Sequence, residues 1–75
     1  MNERLAESFR AGLELDPSYE VTNLTYRGIP EWDSIGHMAL IATIESDFDL
    51  EFSPEEILDL SSFEVALEIL QRKTT

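Results

Sequence analysis

The sequence predicts a small all-α protein, a four-helix bundle of three main helices plus one short helix, with a long first loop. Three observations predict it. Apolar residues recur at helical spacing in three separate stretches. The later helices open with recognisable start signals, above all Ser53-Pro54-Glu55-Glu56. Finally, 75 residues with 43% hydrophobic content support one small core, so residues 1–75 read as a single domain.

Each element has its own local reason. Leu5, Phe9 and Leu13 recur at i, i+4 and i+8, which predicts a first helix over about 3–15 with Asn2 able to cap it. Gly12 weakens this helix and Pro17 stops it. Residues 16–33 hold Pro17, Gly28 and Pro30 and do not read as regular structure, although a strand pair is an alternative. Tyr19, Val21, Leu24, Tyr26, Ile29 and Trp32 are scattered through them, so this loop is expected to be pinned to the core.

Asp33 is a good cap for the next helix, expected over about 34–47; such a cap contributes roughly 1 kcal/mol. Leu40, Ile41, Ile44 and Phe48 form its apolar stripe, and Ile35, Met38 and Ala42 lie beside that stripe. The helix is therefore apolar over more than half its girth. Either it sits centrally, or part of it meets a partner or ligand. Ser53, Pro54 and Glu56 predict a short helix over about 54–59. Ser61 and Glu64 form a second expected capping box, and Phe63, Ala66, Leu67 and Leu70 carry the last helix to about 72.

The charge is lopsided. Sixteen acids against five bases give a formal net charge of −11. Such a surface repels nucleic acid and anionic lipid. Residues 28–71 hold eleven acids and no Lys or Arg. That one-sign field either serves solubility or steers a basic partner in. There is no cysteine, so neither disulfides nor thiolate metal sites are available. The first residues lack an apolar signal core, and no apolar run approaches the roughly 20 residues of a membrane span. A cytoplasmic, monomeric protein is the expectation.

Candidate chemistry is sparse. Asp47, Asp49 and Glu51 alternate like the first ligands of a calcium loop, but Phe52 and Leu58 occupy the positions that need Gly and Glu, so no metal site is expected. Asp33, Ser34 and His37 invite comparison with a hydrolytic triad. Asp33 is committed to capping, and Trp32-Asp33-Ser34-Ile35-Gly36 is not a nucleophile elbow. His37 reads as a surface histidine. Ser34 remains: an exposed hydroxyl in the first turn of a helix, where free N–H groups and the helix dipole favour an anion. It is a natural acceptor for a phosphate-linked group, or else a second capping residue.

The segment Asp33-Ser34-Ile35-Gly36-His37-Met38 resembles the attachment motif of acyl and peptidyl carrier proteins. The likeness continues through Leu40, Ile41, Ile44, Glu45 and Phe48, through Phe52-Ser53-Pro54-Glu55-Glu56, and through Ser61-Ser62-Phe63-Glu64-Val65-Ala66-Leu67. It covers roughly 30–73 well, and 1–29 only by length, helix and loop.

The resemblance implies a function. Ser34 would receive 4'-phosphopantetheine from coenzyme A through a phosphopantetheinyl transferase, with Asp33 as the motif acid. The arm's thiol would carry an acyl group as a thioester, which answers the missing cysteine. The carrier catalyses nothing; it presents cargo from a loading enzyme to a downstream acyltransferase or synthase. The resemblance further implies partner contacts at Ile35 and Met38. Ordinary core is the other reading of Met38. Glu55, Glu56 and Asp59 would meet basic patches on partner enzymes, and Trp32, just before the motif, is placed with the partner-contacting residues.

The sequence departs from carriers of general fatty acid synthesis at Gly36, Ala39 and Ser46, where those carriers show acids along the second helix, and at Trp32. It looks more like a discrete carrier of a specialised biosynthetic pathway. Two rivals stay open: an aminoacyl or peptidyl carrier, and a non-catalytic acidic interaction module.

Overall fold

A computed structural model describes residues 2–74. Its four helices are α1 (Asn2–Gly12), α2 (Ser34–Phe48), α3 (Pro54–Asp59) and α4 (Phe63–Thr74). The chain is all-α, with no strand among the described residues beyond one isolated bridge pair. Among the described residues, no helix is long and apolar enough to cross a membrane.

Helix α1 buries Leu5 and Phe9 completely, as their spacing requires. It differs from expectation at both ends. Asn2 already lies inside the helix rather than capping it. The C-terminal end comes before residue 15, because Glu14 turns left-handed at φ 56° and Leu15 N–H reaches back to the Arg10 carbonyl at 2.7 Å. With Glu14 N–H on the Ala11 carbonyl, this is a Schellman closure made without glycine. Gly12 serves another purpose: a Cβ there would lie 2.9 Å from the Leu40 Cα, so its missing side chain lets α1 lie close on α2.

The same two helices are clamped at their other ends. Ser8 is buried and its hydroxyl donates to Asp47 Oδ2 at 2.5 Å. Arg4 donates to the Asp47 carbonyl at 2.6 Å, and its guanidinium covers the Phe48 ring at 4.5 Å. Asp47 is thus engaged within the fold. Helix α2 then stops as α1 does, with Asp49 left-handed at φ 54° and Leu50 N–H on the Glu45 carbonyl at 3.1 Å.

Residues 16–33 are pinned, as their apolar content suggests. Val21 and Trp32 are fully buried. Thr25 bridges Ser62 antiparallel, Tyr26 N–H donates to the Ser61 carbonyl at 2.8 Å, and Phe63 N–H donates to the Leu24 carbonyl at 3.0 Å. This pairing explains a correction at α4. Ser61 is held extended against the loop, so Ser62, not Ser61, caps the helix by accepting from Val65 N–H at 3.0 Å. The expected box between Ser61 and Glu64 does not form. The box at Ser53 and Glu56 does: Ser53 accepts from Glu56 N–H, and the Glu56 carboxylate accepts from Ser53 N–H.

One aromatic row knits the core. Phe9 meets Trp32 edge-on at 5.3 Å and Phe63 at 5.0 Å. Leu40 and Ile44 of α2, with Ala66, Ile69 and Leu70 of α4, close around it. Each such fully buried large side chain contributes about 1.5–3 kcal/mol.

Candidate functional site

The site is built at the junction of the loop and α2. Asp33 stands extended before the helix, and its Oδ1 accepts from Gly36 N–H at 2.8 Å, so the expected cap is formed. Ser34 is the first helical residue and is exposed. The Asp33 carboxylate takes the Gly36 amide. The amides of Ser34 and Ile35 have no carbonyl within the helix to reach. Gly36 is required here: a Cβ on it would collide with the Glu31 carbonyl. The loop backbone therefore lies directly against the first turn of α2, beside Ser34.

Ser34 borders an apolar groove of about 290 Å³, walled by Tyr26, His37, Met38, Ile57 and Leu58. Around it the apolar surface is unusually bare. Ile35 is 81% exposed, Met38 56% and Leu58 83%. Met38 is therefore surface, not core. The exposure of Leu58 has a signal in the sequence. In a helix of six residues, the adjacent pair Ile57-Leu58 cannot turn both side chains inward. On the other side of Asp33 lies a more polar cleft of about 410 Å³, lined by Arg27, Gly28, Ile29, Pro30 and Trp32. Arg27 is held there by its own left-handed turn at φ 65° and by its N–H on the Trp32 carbonyl at 2.8 Å. The Tyr26 phenol, and more weakly the Asp33 carboxylate, raise the pKa of its guanidinium.

Two residues depart from expectation. Trp32, expected among the partner-contacting residues, is fully buried, because its ring fills the core against Phe9. His37, read as a surface histidine, is half-buried and bonded at both nitrogens. Its Nδ1 accepts from Trp32 Nε1–H at 2.9 Å, and its Nε2 lies 2.8 Å from the Ile57 carbonyl. An indole nitrogen only donates, so Nδ1 is the acceptor and Nε2 carries the ring proton. Neither nitrogen is left for Ser34, and the Asp33 carboxylate is turned to Gly36. The three residues that invited comparison with a triad are neighbours without being a relay.

The acids divide in the same way. Glu55 and Asp59 are exposed. Glu56 is engaged: its Oε1 accepts from Ser53 N–H at 2.8 Å and from Lys73 Nζ at 2.9 Å. The Ser53 amide first, and then Lys73, lower its pKa below the ordinary carboxylate value.

Compared with protein-family models, curated proteins and solved structures, the chain matches none of them.

Proposed function

We propose that this protein is an acyl carrier: a four-helix bundle that bears 4'-phosphopantetheine on Ser34 and presents a thioester-bound acyl group to partner enzymes. The observation that carries the reading is the setting of Ser34. Its hydroxyl is exposed at the start of a capped helix and borders an apolar groove of about 290 Å³. The residues present fit the group: the Ser34 and Ile35 amides have no carbonyl partner within the helix and would favour a phosphodiester on Ser34, and the groove would offer an apolar wall to the pantetheine arm. The arm supplies the thiol that a chain without cysteine lacks.

The chain's own part is positional. Asp33 and Gly36 set the helix start, so that Ser34 is offered at a defined place. Ile35, Met38 and Leu58 give partner enzymes an apolar contact on either side of it, and exposed Glu55 and Asp59 give them a negative rim. A phosphopantetheinyl transferase, a loading enzyme and a downstream acyltransferase or synthase are the partners, met in turn by a monomer in the cytoplasm. The pathway is a specialised biosynthetic one.

The test is intact mass after incubation with coenzyme A, magnesium and a promiscuous phosphopantetheinyl transferase. One added phosphopantetheine on the parent, and none on a folded Ser34→Ala variant, is the expected result. A folded parent that gains no mass with several transferases would overturn the reading.

A further inference from the structure

We propose that His37 keeps the cargo out of the core: it closes the inner wall of the groove beside Ser34, so that the carried acyl group lies on the surface whatever its length. This rests on the carrier reading above and adds to it a residue that sets where the cargo lies.

Three observations carry it. First, His37 forms a bridge. It ties Trp32 in the loop to Ile57 in α3 through bonds of 2.9 and 2.8 Å, with both ring nitrogens engaged. A chain passing from the groove towards the core between α2 and α3 would have to break both bonds. It would then leave the buried indole N–H without an acceptor. Second, the space behind the bridge is filled. The fully buried Trp32 ring lies edge to edge with His37 and nearly coplanar with it, with centroids 6.1 Å apart and planes 16° apart, and Tyr26 meets His37 edge-on at 5.1 Å. Third, the groove in front is small. Its volume of about 290 Å³ lies at the bottom of the range of small-molecule sites, about 300–1,000 Å³. It is walled by Met38 and Leu58, which are largely open to solvent.

The experiment has two arms. On the unmodified protein, exchange of the Trp32 indole N–H is monitored by NMR in the parent and in His37→Phe, which keeps a ring but loses both bonds. Exchange should quicken by roughly tenfold or more; unchanged exchange in the folded variant would show that His37 holds nothing.

On protein loaded with acetyl, butyryl, octanoyl or dodecanoyl thioesters, cleavage by hydroxylamine is timed and the Trp32 indole resonance recorded. In the parent, cleavage should be independent of chain length and the indole resonance should stay fixed. In His37→Ala, the longer chains should be cleaved several-fold more slowly. The inference fails if the parent itself shields octanoyl and dodecanoyl groups or shifts the indole with chain length. That comparison needs no variant, so it decides even where His37→Ala does not fold. If Ser34 accepts no arm at all, the carrier reading and this one fall together. If the arm loads and the parent shields long chains, only this one falls.

Discussion

Gly36 lies so close to the carbonyl of Glu31 that no side chain fits between them. The relationship joins a residue in the first turn of α2 to the loop that precedes it, and Ser34 stands between the two. It makes Gly36 a position where the usual helix rule reverses. Glycine to alanine inside a helix ordinarily stabilises by about 1 kcal/mol. Here the added methyl must displace loop backbone, and overpacking of that kind costs about 1–3 kcal/mol. Gly36→Ala should therefore lower the denaturation midpoint, measured with urea. A midpoint that rises would mean that the loop yields freely.

Trp32 and Ile35 are three residues apart and should behave oppositely. Trp32→Ala removes a fully buried ring and should cost about 3–5 kcal/mol, a large share of the 5–15 kcal/mol typical of a folded domain. Ile35→Ser alters a side chain that is 81% exposed and should leave stability within about 0.5 kcal/mol. Its effect should appear in the rate of phosphopantetheine transfer, as a lower kcat/KM. Thermal melts and transfer kinetics on the two variants check both halves.

Acid should weaken the link between α3 and α4. The pKa of Glu56 in the folded chain is lowered below its ordinary 4.5 by the Ser53 amide and by Lys73. A carboxylate with a depressed folded pKa adds stability that is fully present above its unfolded value. That stability is lost as pH falls through the folded value. As the pH falls below 4.5 the urea midpoint of the parent should therefore decline relative to that of Glu56→Gln, which lacks this contribution. Equal slopes would place the acid sensitivity elsewhere, for instance at Asp16 or Glu20, whose pKa values are also lowered by local hydrogen bonds.

Salt should stabilise the protein. The formal net charge is −11, and Glu51, Glu55 and Asp59 stand exposed within one short stretch. Raising ionic strength from about 0.01 M to about 1 M shortens the screening length from about 30 Å to about 3 Å. The same screening weakens the Lys73–Glu56 pair, but an ion pair at the surface contributes little. The melting temperature should rise with salt; a flat or falling curve would mean that self-repulsion among these acids is not felt.

The sequence alone reaches as far as one helical turn. The start of α2 behind Asp33 and the box at Ser53 and Glu56 come from side chains that satisfy backbone groups three residues away. The exposed hydroxyl of Ser34 comes from the same cap. What the tertiary structure decided involves partners far along the chain. Trp32 is buried because Phe9 packs against it, and His37 is bonded because α3 brings the Ile57 carbonyl to it. Ser62 takes the cap from Ser61 because residues 24–26 pair with the start of α4. Leu58 is left bare because a short helix offers only one face to the core. Periodicity states that a residue is apolar or polar; which surface it meets depends on contacts closed across the fold, and these leave no local signature.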